Sequence, residues 1–211
     1  MTSQRFDQNV FINCPFDSDY QPILRPMLFC VVFANKQPRL ATERSDSGES
    51  RLDKICILIS ESKFSIHDLC RCQAARKGEV SRLNMPFELG IDYGLRRLGG
   101  GEMASKRFLV LDEKPFRLKQ ALSDINGWDP KPHENKPERA MTIVRNWLFQ
   151  EASVDLPGGE ILYGQYLLFE EWKYARSDHS RADVDAYEHF ELIKAMQDWV
   201  NEQATSTQTS T

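Results

Sequence analysis

Short apolar segments recur along the chain, and each is followed by a segment with the periodicity of an amphipathic helix. The strands predicted in this way cover residues 9–16, 39–43, 63–69, 106–112 and 128–133. The intervening helices begin near residues 22, 47, 86 and 115. Parallel strands need a crossover between them, which is usually a helix. The pattern therefore predicts a flavodoxin-like (Rossmannoid) α/β fold, a doubly wound parallel sheet of about five strands in the order 2-1-3-4-5.

Additional helices are predicted after Pro137, including residues 161–175 and 182–202. We expect residues 1–155 to form the α/β domain and residues 156–203 to form a C-terminal helical extension packed on it. The last eight residues, ATSTQTST, are polar and low in complexity. Residues 204–211 are therefore predicted to be a disordered tail.

Composition excludes several classes of protein. The 211 residues carry a net charge of −4, which gives no general attraction to nucleic acid. The N-terminus MTSQRFDQ has no leader pattern, and no segment reaches ~18 apolar residues, so a cytoplasmic location without membrane contact is expected. The five cysteines are odd in number and scattered, which favours reduced thiols. No second ligand pair at zinc spacing follows Cys70 and Cys72, so no metal site is expected.

Polar side chains follow the predicted strands at the points where the strands end. In an open parallel sheet these ends share one rim, where ligands bind. Each residue alone also fits the role of a cap or turn former, but together they predict a pocket for a polar small molecule. The candidate binding residues are Asn13, Cys14, Phe16, Asp17, Ser45, Asp46, Ser47, Gly48, Asp68, Asn84 and Met85.

The segment NMPFELG, residues 84–90, predicts an acid near the start of a helix. Pro86 suits the first helical position, which would place Glu88 in the first turn. The helix dipole favours an ionised carboxylate there by roughly 0.3 to 1 kcal/mol. The alternative is an acid that only offsets the dipole. Gly90 and Gly94 reduce helix propensity, which predicts the close approach of a strand, loop or ligand on that side.

The segments SIHDL, residues 65–69, and NMPFELG together resemble the nucleoside 2-deoxyribosyltransferase and TIR superfamily, across roughly residues 9–112. The resemblance implies cleavage of an N-glycosidic bond in a nucleoside or NAD. It implies that Glu88 acts on the anomeric carbon and that Asp68 holds the ribose or base. Asn84 and Met85 stand where deoxyribosyltransferases often have a second acid, and the helices after Pro137 have no counterpart.

Three functional hypotheses follow. The leading one is an N-ribosyl hydrolase or transferase that acts on NAD or a related nucleotide, with no cofactor beyond that substrate and with Glu88 stabilising or capturing the oxocarbenium ion. The resemblance adds a role as a bacterial defence effector. The second hypothesis is a nucleotide sensor without turnover, and the third is a TIR-like assembly module. Expected partners are the nucleotide and either a second copy of the chain or an activating protein.

Overall fold

The computed structural model describes residues 3–43, 46–72, 83–118, 122–125, 127–176 and 180–208. Its centre is a five-stranded parallel sheet in the order β2-β1-β3-β4-β5, which confirms the predicted fold class and strand order. In the described chain, no helix is both long and apolar enough to cross a membrane. The strands are β1 Asn9–Asn13, β2 Gln37–Arg39, β3 Phe64–Asp68, β4 Arg107–Asp112 and β5 Lys131–Pro132.

Helices cover both faces of this sheet. The α-helices are α1 Ser3–Phe6, α2 Gln21–Phe33, α3 Arg51–Ser60, α4 Asn84–Leu98, α5 Pro137–Glu151, α6 Gly159–Arg176, α7 Arg181–Asp185 and α8 His189–Gln208. Short 3-10 turns cover Ser18–Tyr20, Gly101–Ser105 and Ser123–Ile125. The helix predicted over residues 115–125 falls partly outside the described residues. Helix α8 continues to Gln208, beyond its predicted end at residue 202, so residues 204–208 of the predicted disordered tail are helical, and residues 209–211 lie outside the described residues.

Several predicted boundaries were wrong: β1 ends at Asn13 rather than at residue 16, β5 begins at Lys131 rather than at residue 128, and β2 and α3 are also displaced. Strand β2 ends at Arg39, where the predicted strand begins, because Gln37 to Arg39 are the residues that pair with β1. Helix α3 begins at Arg51 with Ser50 at its N-cap, so Asp46 is not the capping residue. Asp46 instead forms a local turn, in which its Oδ1 accepts a hydrogen bond from the Gly48 amide at 2.9 Å.

The pleat of the central strands divides their side chains between two layers. In β3, Phe64 and Ile66 face the large core beneath α2, whereas His67 faces α4. Asp68 follows on the α2 side, where Tyr20 hydrogen-bonds to it. All five residues of β3 are buried, as expected for a central parallel strand covered on both faces.

The C-terminal helices pack on α2 and share its hydrophobic core. The ring of Phe29 lies 5.6 Å from Tyr166, 5.5 Å from Phe169 and 5.4 Å from Trp199, measured between ring centroids. These aromatic side chains therefore stabilise the fold from within. Phe190, in contrast, remains 64% exposed.

The two edges of the sheet differ. On the β2 edge, α8 lies alongside, and Gln197 of α8 donates a hydrogen bond to Gln37 at 3.1 Å. On the other edge, β5 pairs with Leu111 and Asp112. Within the described sheet, the first part of β4 therefore has no strand neighbour on that side.

Candidate functional site

The carboxyl ends of the strands form one rim of the molecule, and α4 begins at that rim. Glu88 is the fifth residue of α4, because the helix begins at Asn84 rather than at Pro86. The prediction that Glu88 lies in the first turn was therefore wrong. Pro86 is tolerated at the third position because the first N–H groups of a helix have no partner within it.

Glu88 is nearly buried, with 6% of its surface exposed. Burial raises the pKa of this carboxyl from 4.5 to about 7, and the nearby positive charge of Arg51 only partly opposes the rise. The helix dipole was expected to favour the ionised carboxylate, but its effect declines beyond the first turn while desolvation penalises the charge, so the pKa of Glu88 is raised. Glu88 is thus poised to exchange a proton near neutral pH.

Asn13, at the end of β1, holds α4 in place. Its amide nitrogen donates to the Met85 carbonyl at 2.9 Å and lies 3.0 Å from Nδ1 of His67. Because a carbonyl only accepts, the first bond fixes the orientation of the amide, and Nδ1 of His67 accepts the second hydrogen. Both amide hydrogens of Asn13 are therefore used within the protein, although Asn13 was predicted to bind substrate.

The same buried network continues through Asp92, which lies one turn beyond Glu88 on α4. His67 contacts Asp92 at 3.0 Å through Nε2, and Lys106 Nζ lies 3.2 Å from the other carboxylate oxygen. Lys106 also donates to the carbonyls of Ile59 and Ser62. Burial alone would raise the pKa of Asp92, but the hydrogen bond from His67 and the charge of Lys106 outweigh burial and lower it.

Asp68 belongs to a second buried cluster on the α2 side of the sheet. Tyr20 donates its hydroxyl hydrogen to one carboxylate oxygen, and the Cys70 amide donates to the other at 3.0 Å. His133 Nε2 lies 3.1 Å from the first oxygen. Burial would raise the pKa of Asp68, but His133, Tyr20 and the Cys70 amide together lower it. The carboxylate predicted to hold a ribose is fully buried and engaged by the protein.

Asp68, Cys70 and His133 offer three ligand atoms within 4.8 Å of one another. A metal-bound histidine normally donates its second ring N–H to an acceptor. In this structure the Asn135 amide donates to Nδ1 of His133 at 3.0 Å, so Nδ1 is an acceptor and the proton lies on Nε2. Nε2 would have to lose that proton to bind a metal. The hydrogen bonding therefore fits an Asp–His contact better than a metal ion.

Cys14, which follows β1, lies within electrostatic reach of both clusters. Its pKa is raised well above 9.0 by burial first, and then by the charges of Asp68, Glu88 and Asp17. The thiol is therefore protonated and unreactive as a nucleophile. The charges of these three acids therefore all act on the residue that follows β1.

The other predicted binding residues occupy varied positions. Phe16 is half-buried against the His189 ring at 5.4 Å, and Asp17 lies 3.3 Å from Arg71. Asn84 is exposed at the first position of α4, whereas the Met85 side chain is buried. Asp46, Ser47 and Gly48 form an exposed loop before α3, and Ser45 lies outside the described residues.

Gly90 and Gly94 do not mark a close approach. A Cβ built on either residue meets no atom within 4 Å in the described structure, and Gly90 is exposed. The interpretation of these glycines as a contact surface within the fold was wrong. The buried face of α4 is instead formed by Met85, Glu88, Leu89 and Asp92.

A crevice of about 320 Å³ lies at the rim on the α2 side. It is bounded by residues that follow four of the strands, and Tyr20 and Cys70 separate it from Asp68. Its volume is at the lower end of the range for small-molecule sites. Glu88 does not line it. The lining residues are Asp19, Tyr20, Pro22, Ile23, Cys70, Arg71, Glu113 and Asn135.

Several charged residues of this region were not predicted from the sequence. Arg51 acts on Glu88 from the start of α3, and Lys106 and Asp92 form the buried ion pair. Asp92 lies four residues after Glu88, a spacing that places both acids on one face of a helix. That spacing was the available signal, whereas nothing in the local sequence indicates that Arg51 approaches Glu88.

A scan against protein-family models, a search of curated proteins and a search of solved structures each found no match to this chain.

Proposed function

We propose that the chain is an N-ribosyl hydrolase or transferase that acts on NAD or a related nucleotide. The observation that carries the proposal is the environment of Glu88. Glu88 is a buried carboxyl with a pKa of about 7 on the helix that begins at the carboxyl ends of the strands, where open parallel sheets bind ligands, and these properties support a functional role. The neighbouring acid Asp92, in contrast, lies within 3.0 Å of His67 and 3.2 Å of Lys106.

Glu88 suits chemistry in which positive charge develops on the substrate. When the ribosyl C1′–N bond breaks, the electron pair leaves with nicotinamide, and the ribosyl group acquires oxocarbenium character. That cation would favour the ionised form of Glu88 and lower its pKa again. Glu88 then either stabilises the cation or forms a covalent ester at C1′. Attack by water completes hydrolysis and releases one proton, whereas attack by another nucleophile completes transfer.

Two features near Glu88 support recognition of a nucleotide. Arg51 is exposed at the first position of α3, where its charge and the helix N-terminus would both attract a phosphate. The loop of Asp46, Ser47 and Gly48 precedes this helix, although the Gly48 amide is already bonded to Asp46. A nucleotide bound here would place its phosphates beside Arg51 and its ribose toward Glu88.

A nucleotide sensor without turnover is the second candidate. The observation that favours it is the engagement of Asp68 and Asn13, whose polar groups bond within the protein. In this case Glu88 would bind a cationic or hydroxyl group of the ligand. A role in bacterial defence is a further proposal that rests on the family resemblance.

The test is to incubate the purified protein with NAD, or with nucleosides and an acceptor base, and to separate the products chromatographically. We expect Glu88→Gln to reduce product formation by about 100-fold or more, because the neutral amide cannot stabilise the cation. Glu160→Gln, which changes an exposed acid of α6, is the matched control and should retain turnover. Turnover by the wild type should rise as pH increases through about 7, where Glu88 ionises.

Undiminished products with Glu88→Gln would remove Glu88 from the chemistry and overturn the proposal. If no substrate is turned over, calorimetry with NAD distinguishes the second candidate. Binding that weakens in Arg51→Ala would then support a sensor.

A further inference from the structure

A groove that Glu88 does not line runs along the outer side of β4. Its floor is the part of β4 from Arg107 to Val110, and its volume is about 670 Å³. Tyr93, Arg96 and Arg97 of α4 form one wall together with Trp128, and Trp147 of α5 contributes to the other. We refer to this feature as the β4 edge groove.

The backbone of β4 turns unpaired groups toward this groove. In parallel strands, alternate residues direct both their N–H and C=O groups to the same neighbour. The Arg107 amide donates to Lys63 at 2.8 Å, and the Leu111 carbonyl accepts from Leu69 at 3.0 Å, so these two residues face β3. Phe108 and Val110 consequently face the groove. Strand β5 pairs with Leu111 and Asp112, so in the described chain the N–H and C=O groups of Phe108 have no strand neighbour on that side.

The α4 wall is basic. The Arg96 guanidinium stacks over the Phe108 ring at 5.1 Å from its centroid. In the described part of the chain, neither Arg96 nor Arg97 has an acidic partner within 4 Å. The wall formed by α5 differs, because Glu151 there already pairs with Arg107 at 3.3 Å. In a protein with a net charge of −4, this local excess of positive charge is directed at an open strand edge.

We propose that the β4 edge groove binds an extended, acidic peptide segment of another protein, which adds to the sheet as a strand beside β4. The unpaired backbone groups would supply the main-chain hydrogen bonds, and the groove walls would select the side chains. Alternate side chains of an added strand face opposite walls. The preferred segment therefore has acidic residues toward Arg96 and Arg97, separated by apolar residues toward Trp147.

A second copy of the chain is a poorer occupant of the groove. Twofold pairing of two β4 edges would bring the same surface together from both copies. The arginines of each α4 wall would then approach each other, and like charges in close contact oppose pairing. The proposal concerns a surface separate from Glu88, so it does not depend on the proposed glycosidic chemistry.

The test uses a fluorescently labelled peptide in which Glu alternates with Val over seven residues, with binding followed by anisotropy. We expect saturable binding to the wild type and to Glu88→Gln. Arg96→Glu combined with Arg97→Glu should weaken binding by roughly tenfold or more. Lys136→Glu combined with Lys194→Glu is the matched control, because it changes net charge equally at two exposed lysines elsewhere and should leave binding intact.

Two peptide controls examine the mode of binding. Replacing Glu by Lys should abolish binding, and N-methylation of the peptide backbone should weaken it strongly, since a methylated amide cannot pair with β4. Equal binding of the methylated peptide, or equal binding by the arginine variant, would overturn the proposal. Light scattering that shows a dimer dispersed by the arginine substitutions would also overturn it, because the occupant would then be a second copy.

Discussion

Glu88 and Asp92 lie one turn apart on the buried face of α4, yet their surroundings change their pKa values in opposite directions. Asp92 has His67 and Lys106 within hydrogen-bonding or ion-pair distance, and these partners outweigh the effect of burial. Arg51 acts on Glu88 too weakly to do the same. The comparison shows that burial alone does not define the role of an acid. Its partners decide whether it stabilises the fold or remains available for a ligand.

The largest effect is expected from Asp92→Asn. This change leaves the Lys106 ammonium buried without its countercharge, because the amide is neutral and only one of its two terminal groups can accept a hydrogen bond from His67 or Lys106. Breaking a buried ion pair on one side typically lowers the free energy of unfolding by about 3 to 5 kcal/mol. Urea denaturation of the purified variant measures the change. Adding Lys106→Met to Asp92→Asn is the control and should recover part of the loss, whereas a loss below ~1 kcal/mol in the single variant would show that the pair is not structural.

Glu88→Gln, unlike Asp92→Asn, should raise the free energy of unfolding near pH 8. Because the pKa of Glu88 is about 7 in the folded protein and 4.5 normally, the folded state favours the protonated form. The stability that the folded state gains from protonated Glu88 is fully present below pH 4.5 and is lost as pH rises through 7. Ionisation therefore costs the wild type up to ~3 kcal/mol at pH 8, which the neutral glutamine avoids.

Urea denaturation at several pH values measures this difference. We expect Glu88→Gln to be more stable than the wild type at pH 8 and nearly equal to it at pH 4. Glu160→Gln should show no such dependence. A variant less stable than the wild type at pH 8 would mean that the carboxylate is bonded within the protein, as Asp92 is, and the contrast between the two acids would disappear.

The smallest effect is expected on the exposed side of α4. Alanine at position 90 meets open space and has a higher helix propensity than glycine, so Gly90→Ala should raise the free energy of unfolding by about 0.5 to 1 kcal/mol. Gly100→Ala is a useful contrast, because the positive φ of 64° at Gly100 should make alanine destabilising there. If Gly90→Ala instead lowered product formation without unfolding the protein, a ligand would have to approach α4 from this side.

The strand order was predictable because each crossover helix and each buried strand has a recognisable pattern of residues in its own segment of the sequence. Apolar runs such as residues 106–112 and helix starts such as Pro137 need no tertiary information. The length of β5 was less accessible, since two paired residues produce no periodic pattern.

The candidate site was predictable in part. Its position at the rim followed from topology, but the partners of its side chains did not. The helix that carries Glu88 was predicted to begin at Pro86, two residues after its true start. The desolvation that raises the pKa of Glu88 could not be predicted, because it depends on which side chains pack around the residue. Asp68 and Asn13 are polar residues at strand ends, and the sequence cannot show that Tyr20 and Met85 will engage them.

The bond from Asn13 to the Met85 carbonyl joins positions separated by 72 residues. The location of Glu88 therefore depends on an attachment that cannot form until both parts of the chain have been synthesised and have met. A nascent chain that has not yet docked α4 against β1 carries an ordinary acid at position 88, with the titration behaviour of any exposed glutamate. The unusual proton affinity of this residue is thus latent during synthesis and arises only with completion of the tertiary structure.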